Sequence, residues 1–476
     1  MSDIPDEVPQ PDEDEDDWTK YADTGYGSSA YDPWSDLVEV EEEDEEELDD
    51  EFAFEDEEAG RSREVPRCPA PAGQAELVRR GTCDTCIGRV SGTRLAEGTL
   101  AENGARVRAE ALERDADLSV DAAAEYCPFC EDLFAEVDLI VGRIIDALGG
   151  VDFAKFQIGA QFDKGQIAAE EELRNSLAAP GSAPLKSSLV SALTRGIREV
   201  LPGAKAVRES PEVMILVNTL TLGIEVDIRA VFVYGRYRKF SRELPQTRWP
   251  CRACRGRDGG CEACEFTGQQ YPASTQSLVC DPMMDRFGAD ADAFHGMGRE
   301  DIDVRTLGNG RPFVAEMKRP MRRAADLEEL TAAINEAADG RIEVHGLRMS
   351  NRAEVARIKG TAAEKSYTIR FTVADAFEPE RATALIQALS GLTLEQQTPQ
   401  RVAHRRADKV RKRKVIEIGD IVTEDQEIQF RVRCESGTYV KELVHSDEGR
   451  TTPSVAGVLE SECEVLWLDV EDVHAD

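Results

Sequence analysis

Eight of the twelve cysteines in this 476-residue chain fall into four C-x-x-C pairs, a spacing that lets two thiolates face one metal ion. In a reducing compartment such pairs bind metal more readily than they form disulfides. Cys83 and Cys86 precede Cys127 and Cys130 by a forty-residue insert, the pattern of a zinc ribbon carrying a helix near Ala101 to Glu113. Cys251, Cys254, Cys261 and Cys264 lie closer together, and Gly256, Gly259 and Gly260 between them let the chain fold back as a zinc knuckle. Both sets are all thiolate and leave no open coordination position, so the Zn2+ expected in each is structural. Cys68, Cys280, Cys434 and Cys463 read as unpaired thiols, often buried.

Charge is distributed unevenly. The formal net charge is -37, and the first sixty residues hold 27 acidic groups against one basic. The other 416 residues are only mildly acidic, with 67 acids and 56 bases. Residues 1–66 are too poor in aliphatic side chains to offset the entropy of ordering and read as a disordered acidic tail. A count of 44 Arg against 13 Lys beside so much acid fits a high-salt cytoplasm, where screening over about 3 Å leaves binding to local groups. The longest wholly apolar run, Val213 to Val217, is too short to span a bilayer, and the N-terminus has no basic and apolar leader. A cytoplasmic, soluble monomer with no membrane partner is expected.

The order of patterns predicts an α+β chain in several parts. After the ribbon region (67–150), which ends in a helix over Asp138 to Leu148, residues 151–240 carry a helix near Ser187 to Val200. Strands follow at Val213 to Val217 and Ile224 to Tyr234. This resembles a THUMP-like α/β RNA-binding module, although any small α/β domain has the same pattern. The knuckle occupies a linker (241–282). From 283 to 476, strands alternate with helices, predicting a mixed sheet with helices on one face. No internal repeat is evident.

Nucleotide and dinucleotide loops and an H-E-x-x-H metal motif are missing from the sequence, so any chemistry runs on side chains without a catalytic cofactor. The stretch His295 to Arg305 is a glycine-framed loop presenting acids beside arginines, suited to a carboxylate kept ionised by guanidinium. A solvated charged turn would have the same composition.

The segment GREDIDVRTLGNGRPF resembles the signature of the archaeal and eukaryotic tRNA pseudouridine synthases counted as the tenth pseudouridine synthase family. TPQRVAHRRADKVRKRK at 398–414 and SGTYVKELVHSDEGRTTPS at 436–454 agree with it. The resemblance implies a mixed-sheet catalytic domain that isomerises uridine 55, and with it 54, in the T arm of tRNA. The uridine is flipped from its stack, and no cofactor takes part. Against the wider G-R-T-D-A-G-V-H pattern, Asp301 falls on the catalytic carboxylate and Asp303 on a glycine. Asp303 is then expected to brace the loop through Arg299 or Arg305. By the same resemblance Tyr367 stacks on the flipped base, Tyr439 is a second substrate contact, Lys441 pairs with the catalytic Asp, and Leu443 packs beneath the base.

Phosphate contacts are expected from a basic run that carries one acid, Asp408: Arg401, Arg405, Arg406, Lys409, Arg411, Lys412, Arg413 and Lys414. Two smaller basic clusters, Arg236 to Arg242 and Lys318 to Arg323, are further candidates. Two alternatives stay open. A non-catalytic zinc-ribbon RNA-binding protein would account for the cysteines and basic runs but not for the carboxylate loop. Another THUMP-containing tRNA-modifying enzyme would need a donor-binding loop that the sequence lacks.

Overall fold

A computed structural model of the chain describes residues 69–92, 98–121, 125–257, 259–405 and 407–475. The acidic segment 1–66, Cys68 and Arg406 lie outside these, as does the side chain of Arg405.

The first part of the described chain is helical: α1 (Pro71–Arg79), α2 (Asp84–Val90), α3 (Leu100–Arg114) and α4 (Val137–Leu148). Among the described residues no strand precedes Lys155, so in place of the expected ribbon Cys83 and Cys86 sit at the start of α2 and Cys127 and Cys130 in a turn before α4. Local signals explain this. The Cys83 thiol caps α2 by accepting the Cys86 N–H at 3.4 Å. Thr99 and Glu102 form a reciprocal capping box that starts α3, the helical insert expected near 101–113.

Next come β1 (Lys155–Gln161), α5 (Lys164–Ser176), α6 (Leu185–Val200), β2 (Lys205–Ala206), β3 (Val213–Asn218) and β4 (Gly223–Ile228). These strands form a four-stranded sheet in the order β2-β1-β3-β4, with β4 antiparallel and the others parallel. Leu185, Leu189, Leu193 and Ile197 recur every fourth residue of α6 and are all buried, the stripe that seats the helix against the sheet.

The helical part and this sheet share one apolar core, in which Ile87 and Ile144 join Phe156, Leu193 and Ile215. Beside it lies a buried ionic cluster. Glu170 of α5 accepts Arg89 of α2 at 2.5 Å and Arg174 at 3.0 Å, with its own side chain 2% exposed.

Beyond β4 the expected strand 224–234 is in fact two, because residues 229 and 230 turn the chain between them. The second, β5 (Val231–Lys239), leaves the small sheet and hydrogen-bonds into a ten-stranded one. After the second cysteine cluster follow α7 (Thr275–Phe287), β6 (Ala291–Gly296), β7 (Arg305–Lys318), α8 (Leu327–Ala338), β8 (Ile342–Ser350), α9 (Arg352–Gly360), β9 (Glu364–Val373) and α10 (Pro379–Gln387). The chain ends with β10 (Thr393–Gln397), β11 (Val410–Glu424), β12 (Glu427–Cys434), α11 (Val440–His445), β13 (Thr451–Thr452), α12 (Val455–Leu459) and β14 (Cys463–His474).

The large sheet runs β13-β10-β11-β12-β9-β14-β7-β5-β8, with β6 paired to β7, and only the β14–β7 contact is parallel. Helices on one face were expected, but both faces are covered in the middle of this sheet. In β7, Phe313, Ala315 and Met317 enter a core with α7 and α8, while Val314 enters another with α9 and α10. Alternate side chains of a strand point to opposite faces, so a strand buried at every position must be covered twice. Cys280, Cys434 and Cys463 are buried free thiols, as expected. Among the described residues no helix is long and apolar enough to cross a membrane.

The ionic cluster generates a stability prediction. Glu170→Ala leaves the Arg89 and Arg174 guanidinium groups buried without their carboxylate, which costs about 3–5 kcal/mol. A denaturant titration should show the midpoint falling accordingly, and an unchanged midpoint would mean that the pair contributes nothing net.

Candidate active site

The loop 297–304 joins β6 to β7, and the sheet beneath dictates its shape. Lys239 ends β5, on the same face as Val231, Val233 and Tyr237, and is fully buried. Its ammonium donates to three carbonyls, those of Leu244 at 2.8 Å, Ile302 at 3.0 Å and Asp301 at 3.2 Å. One cation thus clamps the loop backbone at two successive residues. Burial pushes the Lys239 pKa down to about 8, against the pull of Glu300 and Asp303.

A second buried group holds the preceding residue. Glu300 faces Arg311 of β7 at 2.9 Å, both side chains being 1% exposed or less. Tyr237 donates to Glu300 at 2.9 Å, Gln246 donates to Glu300 at 3.3 Å and to the Gly298 carbonyl at 3.1 Å, and Arg311 donates to the Met297 carbonyl at 2.8 Å. With Glu300 drawn inward, Asp301 is left facing out. The glycines of the LGNG segment lie within β7 rather than in a separate turn. At Gly308, with φ +54°, a Cβ would meet the Glu471 carbonyl of β14 at 1.9 Å, so only glycine lets the strands pass this closely.

Asp301 is about one-third exposed and accepts Arg401 at 2.8 Å, while Lys441 stands 3.7 Å away. Lys441 lies closer to Asp303, at 2.8 Å, so its nearest carboxylate is not the one expected. Asp303 is braced by Lys441, and Arg305 pairs instead with Asp469 of β14. Burial opposes the charge on Asp303, but the hydrogen bond and charge of Lys441 outweigh it and hold its pKa below the ordinary carboxylate value. Arg401 also binds Glu442 at 2.6 Å, and that side chain is 1% exposed. The guanidinium expected to meet phosphate is thus engaged by two carboxylates. Asp301, Asp303 and Arg401 line a cleft of about 240 Å³ together with Pro245, Gln246 and Trp249.

The remaining sequence candidates fall around this loop. Tyr367 lies on β9 between Val432 of β12 and Val470 of β14, half-buried against the core. Burial raises its pKa, and the nearby Arg311 charge works in the opposite direction. Tyr439 precedes α11, and its backbone N–H and C=O are both held at 2.9 Å by the buried Gln396 amide. Leu443 is fully buried in the core below α11. The basic run divides along β11, where Arg411 and Arg413 are half-buried while Lys412 and Lys414, together with Lys409 before the strand, are exposed. Of the other basic clusters, Arg236 donates to the carbonyls of Asn309 and Gly310, Arg242 pairs with Asp469, and Arg319 and Arg323 pair with Asp290 and Glu212. Those charges serve the fold.

Reading the sequence missed Glu300, Arg311, Gln396 and Glu442, and it placed Lys239 among the cations of the Arg236 to Arg242 cluster expected to meet phosphate, whereas Lys239 is buried under the loop. A signal existed for Lys239, since strand alternation aligns it with Val231, Val233 and Tyr237 on the buried face. For Glu442 or Gln396 nothing local distinguishes a buried partner from a solvated one.

Each cysteine set converges. Within Cys83, Cys86, Cys127 and Cys130, and within Cys251, Cys254, Cys261 and Cys264, all sulfurs lie within 4.8 Å of one another. Sulfur pairs stand at 3.7 Å for Cys83 and Cys130, and at 3.8 and 3.9 Å in the second set. Tetrahedral metal–sulfur bonds of about 2.3 Å place sulfurs about 3.8 Å apart, so either cluster can hold a metal ion. Backbone N–H groups of Cys261 and Gly268 donate to the Cys264 sulfur at 3.2 and 3.3 Å and draw its pKa down to about 6. At the first cluster, Arg89 donates to the Cys86 sulfur at 3.4 Å.

Comparison with known proteins agrees with this arrangement. The family described as "Pus10, C-terminal" matches residues 232–474, a span that begins in β5 and ends in β14. The tRNA pseudouridine synthase Pus10 of Methanothrix thermoacetophila is 39% identical over 361 residues, covering 75% of this chain and 78% of the relative. That of Methanocaldococcus jannaschii is 36% identical, over 75% and 77%. That of Halorubrum lacusprofundi is 35% identical, over 84% and 96%. With its carboxylate loop held by buried charges in the matched region, the chain belongs to the Pus10 family of tRNA pseudouridine synthases.

Proposed function

We propose that this chain isomerises uridine to pseudouridine in the T arm of tRNA, at position 55 and with it 54, and that Asp301 is the catalytic carboxylate. The observation that carries the reading is the placement of Asp301. It is an outward-facing acid on a loop whose backbone is held by Lys239 and whose neighbouring Glu300 is buried against Arg311, and it opens on a cleft sized for a flipped base. Arg401, at 2.8 Å, orients the carboxylate, and Lys441 holds Asp303.

Isomerisation needs no external reactant. The N1–C1′ bond of uridine breaks, the uracil turns, C5 bonds to C1′, and the C5 proton is lost as N1 takes up one, so atoms balance. Asp301 serves this exchange at the ribose, either by attack at C1′ or by taking the proton at C2′. Tyr367 and Tyr439 flank the flipped base, Leu443 packs below it, and Lys409, Lys412 and Lys414 are the exposed cations of β11 and its approach that meet phosphate. The small sheet with α5 and α6 acts as a THUMP-like grip on tRNA, and the enzyme works as a monomer in a salt-rich cytoplasm. Each cysteine set holds one structural Zn2+, which braces the fold and takes no part in the reaction.

Three measurements test this reading. Asp301→Asn keeps the shape of the side chain but cannot act as nucleophile or base. Pseudouridine formed on a tRNA transcript should fall by about 10²–10⁴-fold or more, with tRNA binding retained. Asp303→Asn should keep most of its turnover. The reverse pattern would move the catalytic role to Asp303, and full activity in both would remove the assignment.

The clamp predicts a pH effect. Between about 8 and its ordinary 10.5, Lys239 holds fewer protons in the folded chain than in the unfolded one, so this group adds stability as pH rises through that window. What weakens there is the charge on the loop clamp. Turnover should therefore fall above about pH 8 without unfolding, and Lys239→Met should cost about tenfold near neutral pH and flatten that alkaline limb. An unchanged rate with the same limb would exclude the clamp.

Elemental analysis of protein purified without chelator should find zinc in both clusters. Cys83→Ser should lose the first ion and destabilise the helical part and small sheet more than the catalytic sheet. Reduced, active protein that contains no metal would contradict the structural role.

A further inference from the structure

The second cysteine cluster is built against the cleft. Trp249 lines the cleft beside Asp301 and stands two residues before Cys251. Its carbonyl accepts the Gln270 N–H at 2.8 Å, and its ring meets Tyr271 edge-on at 5.6 Å, so the two ends of the knuckle are joined where they touch the cleft wall. The loop between them folds tightly. Gly260 has φ +97°, and a Cβ there would lie 2.7 Å from the Cα of Phe266. Phe266, beside this crossing of the arms, is 67% exposed, a large apolar side chain left in water.

The outgoing arm carries Arg252, Arg255 and Arg257, all exposed and without an ion pair among the described residues. This distinguishes them from the cations of β5 and the β7–α8 connection, most of which bind carbonyls or carboxylates of the fold. The exposed acids Glu262 and Glu265 lie on the returning arm.

We propose that this knuckle is a contact surface for the RNA strand flanking the target uridine, with Phe266 stacking on an unpaired base and Arg252, Arg255 and Arg257 meeting phosphates. An exposed aromatic beside unpaired guanidinium groups is the chemistry that binds single-stranded nucleic acid. Four thiolates on one metal would hold the loop rigid, so little ordering entropy opposes the contact. The base that enters the cleft leaves its neighbours at the mouth, where Trp249 connects cleft to knuckle. The inference rests on the RNA substrate proposed above and adds where its flanking strand lies.

The test uses the full chain, an unmodified tRNA transcript and a series of KCl concentrations. Phe266→Ala should weaken binding about tenfold, and Phe266→Tyr should restore it. Replacing Arg252, Arg255 and Arg257 together by Gln should make the plot of log affinity against log salt shallower by about two, since each lost phosphate contact removes about 0.7–0.9. Single-turnover rate at saturating RNA should stay that of the unaltered chain, and metal content should be retained in every variant. Unchanged affinity and salt slope in metal-loaded variants would overturn the contact surface. Should an Arg variant lose its metal, the Phe266→Ala and Phe266→Tyr pair decides alone, because that ring lies outside the packed core. An unaltered chain that binds the transcript through the knuckle but forms no pseudouridine would overturn the activity and leave the surface standing. An active chain with indifferent knuckle variants would do the opposite.

Discussion

Glu300 and Arg311 are buried together under the loop that carries Asp301, and the site depends on that pair. Two charges taken out of water cost several kcal/mol each unless their remaining hydrogen-bonding groups are met. Here Tyr237 and Gln246 complete the carboxylate, and the Met297 carbonyl takes an Arg311 N–H. Their partners come from β5, the following segment and β7, so the pair is satisfied only when those elements are in register. The arrangement that buries Glu300 leaves Asp301 about one-third exposed at the start of the turn that follows. Lys239 then holds the same loop by its carbonyls rather than by its carboxylates. Asp301 is thereby left available to Arg401 and to a substrate.

A chain of net charge -37 that acts on RNA must solve an electrostatic problem locally. Much of its arginine is spent inside the fold, on Glu170, Glu300, Glu442 and Asp469. These pairs remove cation and anion together and leave the net field unchanged. Exposed cations also remain for a polyanion, among them Lys409, Lys412 and Lys414 on β11 with its approach and Arg252, Arg255 and Arg257 on the knuckle.

The two four-cysteine clusters sit in different mechanical settings. The first lies between α2 and the turn before α4, in a core shared with the small sheet, and Arg89 links its Cys86 to Glu170 of α5. Loss of that cluster would reach the small sheet through that shared core as well as through the Arg89 guanidinium. The second closes a surface loop whose ends meet at Trp249 and Tyr271, so it shapes the cleft margin without supporting a core.

Much of this was legible in the residues themselves. C-x-x-C spacing is a local property, and both sets converge as their spacing implies. The helices 185–200 and 327–338 follow from apolar periodicity and from caps such as Asp326, whose carboxylate accepts the Glu328 and Glu329 N–H groups. The motif around Asp301 led to the family through its residue order. The pairing of charges was not legible. Whether Arg401 meets phosphate or Asp301, whether Lys441 lies nearer Asp301 or Asp303, and whether Lys239 lies on the surface or under the loop depend on contacts spanning 60 to 140 residues. Composition treats each of these as one more cation in a basic stretch. The same limit hid the helix-and-turn setting of the first cysteine set and the transfer of β5 to the large sheet. Local propensity specifies that a strand or helix forms, while its partner is chosen by the long-range burial of apolar faces and the need to satisfy every buried charge, which only the assembled tertiary structure decides.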